Sequence, residues 1–264
     1  MKTIRLIALV LIVLSLALAF ASCGGTVKNI TLSFVVDGSV YDEIETTGAT
    51  SISMPENPSK EGYTFDGWFW DDGTWSQSFT ANSLLDAPLS SSMSVYAKMT
   101  PIAYTVTYET DGGTHRNPGS YTIEDAVSLT DAAKAGYDFD GWYNGEVGVT
   151  AIQTGSKGDL TLSARWTPIT YQVSYANTKN AENGNPDSYT IETATIALAD
   201  LSAVGYTFDG WYDGNKKVTE IATGSIGDRV LSARWTPVSY NSTYSATFGA
   251  TNGNPMSDTI EGAV

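Results

Sequence analysis

The sequence predicts a mainly β protein (α+β class) made of small modules in tandem, and three observations carry this prediction. Aromatic residues make up 11% of the 264 residues and glycine contributes 25 of them, a composition typical of short strands joined by tight turns. Apolar residues recur with a period of two, as in Tyr171-Gln172-Val173-Ser174-Tyr175, which indicates strands with one buried face. Distinct motifs also return at intervals of about 70 residues.

The composition excludes several classes of function. A chain that is 42% hydrophobic can bury a core and is not disordered, and a net charge of −15 disfavours the basic surface that nucleic acid requires. One cysteine excludes a disulfide framework and a multi-cysteine zinc site, and one histidine removes most catalytic triads and two-histidine metal motifs. The sequence therefore predicts no enzyme, no metal site and no cofactor.

The first element is a secretory signal peptide at residues 1–22. Lys2 and Arg5 precede an uncharged apolar run that is too short to span a membrane. The segment Phe20-Ala21-Ser22-Cys23 resembles the lipobox of bacterial lipoproteins, although these more often carry leucine in place of the phenylalanine. The resemblance implies cleavage before Cys23 and acylation, for example by palmitate, of its sulfur and its new amino group. The alternative is an ordinary signal peptide followed by a chance free cysteine.

Three motifs then recur in a fixed order: GYxFDGW, LSARWTP with one degraded copy (VYAKMTP), and NPxSxTIE. Their copies begin at Gly62, Gly136 and Gly205, at Leu162, Leu231 and Val95, and at Asn117, Asn185 and Asn254. A period near 70 residues is long enough for each copy to close a small core alone, whereas solenoid repeats are usually shorter, about 20–50 residues. The motifs therefore predict beads on a string.

The repeat boundaries divide the chain into six segments. They are a signal peptide (1–22), a linker (23–30), a divergent repeat 1 (31–101), repeat 2 (102–168), repeat 3 (169–237) and an incomplete repeat 4 (238–264). Repeat 4 lacks the two aromatic motifs. We interpret the chain as a fragment of a longer repeat protein, the alternative being a frayed tail.

Within a repeat, alternating segments predict antiparallel strands, and Gly-rich and Asn-Pro stretches predict the turns between them. In GYTFDGW a regular strand would place Phe208 and Trp211 on opposite faces, so we expect a bulge at Gly210 that returns Trp211 to the core. Helical signal is weak. The candidates for a helical turn are residues 152–159, 221–228 and 200–204.

The combination GYxFDGW…LxARWTP, with an opening Tyr-x-Val-x-Tyr, resembles the Listeria–Bacteroides repeat, the B-repeat of internalin-type surface proteins. The resemblance covers residues 31–237 in three copies and part of a fourth. It implies a β-grasp-like module of about four strands with a short helix or helical turn. It also implies occurrence in secreted, surface-attached bacterial proteins, often adhesins. Repeat 1 departs from the pattern, because Phe69-Trp70 follows its Trp68 and Met99 replaces the tryptophan of ARWTP.

The recurring aromatic residues are expected to fill the repeat cores, because a module of about 70 residues needs its large side chains inside. The predicted core residues are Tyr63, Phe65, Trp68, Tyr137, Phe139, Trp142, Trp166, Tyr206, Phe208, Trp211 and Trp235. The alternative is a platform on which sugars stack. Trp70 and Trp75, which are not repeated, and Tyr143 and Tyr212 are the candidates for exposed ligand contacts.

The repeated carboxylates Asp66, Asp140 and Asp209 precede a glycine, and we expect each to cap backbone N–H groups in a turn. Calcium binding is the smaller alternative, because oxygen-rich segments such as Asp71-Asp72-Gly73 lack the spacing of an EF-hand. His115 is expected in a solvated turn.

Arg165 and Arg234 fall on the outward phase of the last strand of their repeats, where they can pair with the repeat's own acids.

These observations predict a non-catalytic, lipid-anchored protein that faces outward on the bacterial cell envelope, at the outer membrane or cell surface. Its partners would be the membrane, through the acyl anchor on Cys23, and a host or bacterial surface protein or glycan, with no nucleic acid. Semi-rigid Thr-Pro joints would let the repeats act as spacers or adhesion modules. The alternative is a glycan-binding module. An enzyme would need a non-repeated catalytic pair, which the sequence does not display.

Overall fold

The computed structural model describes residues 28–245, 251 and 253–260. The proposed signal peptide and Cys23 lie outside the described residues. The chain divides into two compact units, with the boundary between Thr100 and Pro101. The first unit contains repeat 1, and the second contains repeats 2 and 3 together with the start of repeat 4.

Repeat 1 is a five-stranded sheet with one short helix. Its elements are β1 (Ile30–Val36), β2 (Ser39–Thr46), β3 (Tyr63–Phe69), β4 (Ser78–Phe79), α1 (Ser83–Asp86) and β5 (Met93–Pro101). The strand order is β2-β1-β5-β3-β4. At its centre β1 and β5, the first and last strands along the chain, pair in parallel. β2 pairs with β1 on one side of these two strands, and the β3–β4 hairpin lies on the other side, which is a β-grasp-like arrangement.

Repeat 2 has the same plan. Its strands are β6 (Tyr104–Glu109), β7 (Ser120–Tyr121), β8 (Val127–Ser128), β9 (Tyr137–Asn144), β10 (Val147–Val149), β11 (Ala151–Ile152) and β12 (Leu160–Pro168). The main sheet has the order β10-β9-β12-β6-β7, with β6 and β12 parallel, and β8 pairs with β11 in a separate ribbon.

Repeat 3 copies repeat 2 strand for strand. Its strands are β13 (Tyr171–Ala176), β14 (Ser188–Tyr189), β15 (Ile196–Ala197), β16 (Tyr206–Asp213), β17 (Lys216–Val218), β18 (Glu220–Ile221) and β19 (Arg229–Pro237). Repeat 4 contributes β20 (Ser239–Asn241) and β21 (Ser257–Thr259), which pair with each other.

Repeats 1, 2 and 3 each have their own hydrophobic core. In the described residues the buried side chains form three clusters, centred on Trp68 in repeat 1, Trp142 in repeat 2 and Trp211 in repeat 3. Every cluster also contains apolar residues of the central parallel strand pair, as Val173 and Leu231 do in repeat 3. The tandem β-rich fold class is therefore confirmed.

The expected bulge is present in β16. Its pairing with β19 shifts register between Phe208 and Gly210, and Gly210 has a φ of +125°. The extra residue of the bulge places the side chains after it on the opposite face of the sheet from the one they would occupy in a regular strand. Trp211 therefore points into the core and is 1% exposed.

Three details differ from expectation. The sheets have five strands rather than about four, because short hairpin partners extend both edges. Among the described residues, the single α-helix is α1 in repeat 1. Segments 152–159 and 221–228, expected to be helical, contain turns built on left-handed glycines such as Gly155 and Gly158, and segment 200–204 is not helical either. The Thr-Pro pairs end β12 and β19 instead of forming separate linkers.

Candidate functional site

Trp70 packs inward rather than facing a ligand. Its ring meets Phe79 edge-on with centroids 4.8 Å apart, and Phe79 belongs to the repeat 1 core. The side chain therefore extends that core over the short β4 strand.

Trp75 lies in a loop between β3 and β4 that repeats 2 and 3 replace with a short hairpin turn. The loop is organised by Asp71, whose Oδ1 accepts hydrogen bonds from the Thr74 N–H (2.7 Å), the Thr74 hydroxyl (2.7 Å) and the Trp75 N–H (2.9 Å). These bonds, led by that of the hydroxyl, hold the pKa of Asp71 below its ordinary value. They also hold Trp75 at a φ of +52°, which a bulky residue rarely adopts.

A cleft of about 210 Å³ lies beside this loop. It brings the Trp75 ring together with Tyr96, Met99 and the carboxylates Asp37 and Asp72. Met99 stands where the other repeats carry a large tryptophan, which leaves more space at this position. Aromatic side chains beside a few polar groups are a feature of ligand sites, and the volume is below the roughly 300–1,000 Å³ of a site for a drug-sized ligand.

The other two contact candidates, Tyr143 and Tyr212, do not lie in this cleft. Each ring is covered by an arginine of the neighbouring strand, with the guanidinium carbon 3.9 Å from the Tyr143 centroid for Arg165 and 3.8 Å from the Tyr212 centroid for Arg234. Arg165 also pairs with Glu146 at 2.7 Å, as expected for an outward arginine.

Arg234 differs at the same position, because its Nη2 donates to the side-chain oxygen of Asn215 at 3.2 Å rather than to an acid.

The predicted core residues occupy two depths. Trp68, Trp142 and Trp211 are buried, and the phenylalanine three residues before each of them contacts it edge-on. The remaining residues of the set are half-buried at the end of the sheet: Phe65, Phe139, Phe208, Trp166, Trp235, Tyr63, Tyr137 and Tyr206.

The repeated aspartates do not cap turns, so that prediction is wrong. Each one accepts a hydrogen bond from the threonine of the Thr-Pro pair on the facing strand. The oxygen distances are 2.5 Å for Asp66 and Thr100, 2.7 Å for Asp140 and Thr167, and 2.9 Å for Asp209 and Thr236. In repeats 2 and 3 the aspartate is itself the extra residue of the bulge, because its two neighbours pair with consecutive residues of the facing strand. Its carboxylate bonds the threonine of that strand, which explains why Asp and Thr recur together.

His115 is packed rather than solvated. Its ring lies 4.1 Å from the Tyr108 ring centroid and 5.5 Å from that of Trp142, and its Nδ1 accepts a hydrogen bond from the Asn117 N–H at 3.2 Å. One of its two ring nitrogens is therefore engaged in holding the loop.

The described part of the chain has neither a metal-binding cluster nor a membrane-spanning helix. No cluster of three or more His, Cys, Asp or Glu side chains is arranged to hold a metal ion. Within the same residues, no helix has the length and apolar character needed to cross a membrane.

The repeat pattern matches a known family model. The model of the Listeria–Bacteroides repeat domain matches three times, at residues 31–98, 104–165 and 171–234. The chain belongs to the Listeria–Bacteroides repeat family. The resemblance drawn from GYxFDGW and LxARWTP is thus confirmed.

Curated relatives are similar to this chain over part of their own length. A protein of Evansella cellulosilytica, named as a Gly-rich membrane protein, is 30% identical over 236 residues, which is 84% of this chain and 25% of the relative. Internalin H of Listeria monocytogenes is 33% identical over 180 residues, 62% of this chain and 28% of the relative. The chain thus spans about a quarter of the length of the curated relatives it matches.

Sequence reasoning found Trp75 because it is not repeated, but it missed the other residues of the cleft. Asp37 and Asp72 belong to no repeated motif, and Tyr96 replaces the serine of LSARWTP in the degraded copy; the three meet because β1, β5 and the Trp75 loop converge. The available signal was the departure of repeat 1 from the repeat pattern at Tyr96 and Met99.

Proposed function

We propose that this chain is part of a non-catalytic bacterial surface protein that is anchored through acylated Cys23 and whose repeats act as spacers or adhesion modules. The observation that carries the proposal is the closed core in each of repeats 1, 2 and 3, with a buried tryptophan in every one of these cores. Aromatic side chains committed to separate interiors favour a structural array over a shared catalytic groove. The names of the relatives, a membrane protein and an internalin, support a place at the cell surface.

The repeated carboxylates also support a non-catalytic role. Acid–base catalysis on a glycosidic bond needs two carboxyl groups that face one bond, about 5–9.5 Å apart. Here Asp140 and Asp209 each bond a threonine within their own repeat and belong to different modules. Their recurrence is explained by the strand pairing that they stabilise.

We expect Cys23→Ser to release the protein from the membrane, because the acyl chains supply the hydrophobic anchor. The measurement is incorporation of a labelled fatty acid, together with sedimentation of the protein with membranes. Ser22→Ala keeps a small residue before the cysteine and should retain both label and sedimentation. A Cys23→Ser protein that still sediments with the membrane would refute the acyl anchor, and repeats shielded from protease on intact cells would refute the outward orientation.

A second candidate function, binding of a glycan, is supported by the cleft of repeat 1. Trp75 offers an aromatic surface, and the oxygens of Asp37 and Asp72 can accept hydrogen bonds from sugar hydroxyls. Asp37 itself is held by Lys60 at 2.8 Å, which fixes one wall of the cleft.

If the cleft binds a glycan, Trp75→Ala should weaken binding by about tenfold or more, as expected for an aromatic anchor. A glycan array identifies the ligand, and quenching of tryptophan fluorescence gives the affinity. Tyr143→Ala in repeat 2 is the control and should leave the affinity unchanged. Equal affinities of the Trp75→Ala and wild-type proteins would exclude this cleft as the site.

A further inference from the structure

The junction of repeats 2 and 3 is built around Gly136, the first residue of the repeated GYxFDGW motif. Gly136 has a φ of +82°, and a Cβ atom there would lie 2.7 Å from the Ile191 Cδ1 atom of repeat 3. Glycine is thus required by the backbone conformation and by the close approach of the next repeat. The Gly136 carbonyl also accepts a hydrogen bond from the Ile169 N–H at 2.9 Å, which ties the connecting segment back to the same residue.

A polar contact closes the junction beside this apolar one. The Tyr137 hydroxyl donates to the Glu192 carboxylate at 2.9 Å, and this hydrogen bond raises the pKa of Tyr137. The Lys134 ammonium lies 4.1 Å from the centroid of the same ring and pairs with Asp111 at 2.8 Å. Two consecutive residues of repeat 2 thus receive two consecutive residues of repeat 3, one apolar and one acidic.

The apolar contact and the backbone hydrogen bond recur at the junction of repeats 3 and 4. Gly205 has a φ of +78°, and a Cβ there would lie 2.8 Å from the Ile260 Cδ1 atom. The Gly205 carbonyl accepts from the Val238 N–H at 2.9 Å. Recurrence of one contact at two successive junctions indicates a built-in joint rather than a chance approach.

The isoleucine is dedicated to this contact. Ile191 lies outside the core cluster of its own repeat, so its burial does not stabilise that core directly. Repeat 1 carries Gly48 at the equivalent position, identified because its carbonyl accepts from Leu89 as the Ile191 carbonyl accepts from Gly224. A Cβ at Gly48 would lie 2.3 Å from the Leu89 carbonyl oxygen, so repeat 1 has no room for an isoleucine there.

We propose that the Gly-Tyr pair of repeat 2 (the socket: Gly136-Tyr137) is a binding surface for the Ile-Glu pair of the next repeat (the plug: Ile191-Glu192), and that Gly205 receives Ile260 of repeat 4 in the same way. The partner that fits a socket is another module of this family whose NPxSxTIE motif supplies the plug. This contact, more than Pro168 at the end of β12, sets the angle between repeats 2 and 3. It deepens the proposed spacer role and rests on that role for its biological use.

The joint can be tested in solution on the secreted chain with Cys23→Ser, which removes the one native thiol. Spin labels on Val147→Cys and Lys216→Cys occupy equivalent exposed positions on β10 and β17 of the two repeats. Electron–electron double resonance then measures the distribution of distances between the repeats. We expect a single narrow distribution, and its loss in Gly136→Ala, because the added methyl group collides with Ile191.

Gly155→Ala is the matched control, since Gly155 in repeat 2 has a φ of +90° but no atom within 4 Å of its would-be Cβ. It introduces the same backbone strain without touching the joint and should keep the narrow distribution. Ile191→Ala approaches the joint from repeat 3 and should broaden the distribution even if Gly136→Ala unfolds repeat 2. A broad distribution in the parent protein, or a narrow one in Ile191→Ala, would overturn the joint and leave the membrane anchor and surface location untouched.

Discussion

Trp211→Ala is expected to destabilise repeat 3 by about 3–5 kcal/mol, the usual cost of truncating a buried tryptophan. Trp211 is 1% exposed, and its ring meets those of Tyr175 and Phe208 at centroid distances of 5.0 and 5.6 Å. Its indole N–H donates to the Ala199 carbonyl at 2.9 Å, so the substitution also removes a hydrogen bond. A module of about 70 residues has little stability in reserve, and repeat 3 should unfold or come close to it.

Hydrogen exchange resolved by peptide provides the measurement, because it reports each repeat separately. Tyr212→Ala is the matched control: the adjacent side chain lies on the other face of β16, beneath Arg234, and should cost no more than about 1 kcal/mol. Peptides of repeat 1, which lies in the other compact unit, serve as the internal standard. Unchanged exchange in repeat 3, or equal loss of protection in repeat 1, would contradict the assignment of a separate core to each repeat.

The fold class was predictable because the signals for it are local. Alternation in Tyr171-Gln172-Val173 predicts β13 and the face of it that is buried. Phe208 and Trp211 are three residues apart, so a regular strand would place them on opposite faces, and a bulge at Gly210 is needed to bring both to the core. Each of these patterns occurs in several repeats, so each copy supports the same prediction independently. A single copy of GYxFDGW would have left the bulge as one option among several.

The roles that escaped prediction depend on partners far away in sequence. Asp140 looks like a turn residue because glycine follows it, but its partner Thr167 lies on a strand that only the sheet order brings near. Gly136 likewise looks like a turn glycine, and the reason for it lies in the next repeat at Ile191. Recurrence showed that these residues matter in every copy, but it did not show which atoms they touch.

In the Asn-Pro motif the asparagine side chain makes hydrogen bonds that a neighbouring strand would otherwise make. In repeat 2, Asn117 is 9% exposed and lies in a loop of irregular structure between β6 and β7. Its Oδ1 accepts from the Thr130 N–H at 2.7 Å and from the Thr130 hydroxyl at 2.8 Å, and its Nδ2 donates to the Thr130 carbonyl at 2.9 Å. The side-chain amide thus pairs with a backbone segment as a neighbouring strand would. That carbonyl also accepts from the Trp142 indole, so the loop and the core share one anchor.

Asn117→Ala should therefore cost repeat 2 about 2–3 kcal/mol, because it removes three hydrogen bonds worth roughly 0.5–1.5 kcal/mol each. Thr130→Ala deletes the hydroxyl alone, and repeat 3 already uses Ala199 at this position with the equivalent amide contacts of Asn185. This control should stay within about 1 kcal/mol of the parent. The indole N–H resonance of Trp142, followed through a urea titration, reports both the local contact and the unfolding of the repeat. Equal midpoints for Asn117→Ala and Thr130→Ala would mean that the loop is held by its own turns, and that the Asn-Pro motif recurs for a reason other than this amide contact.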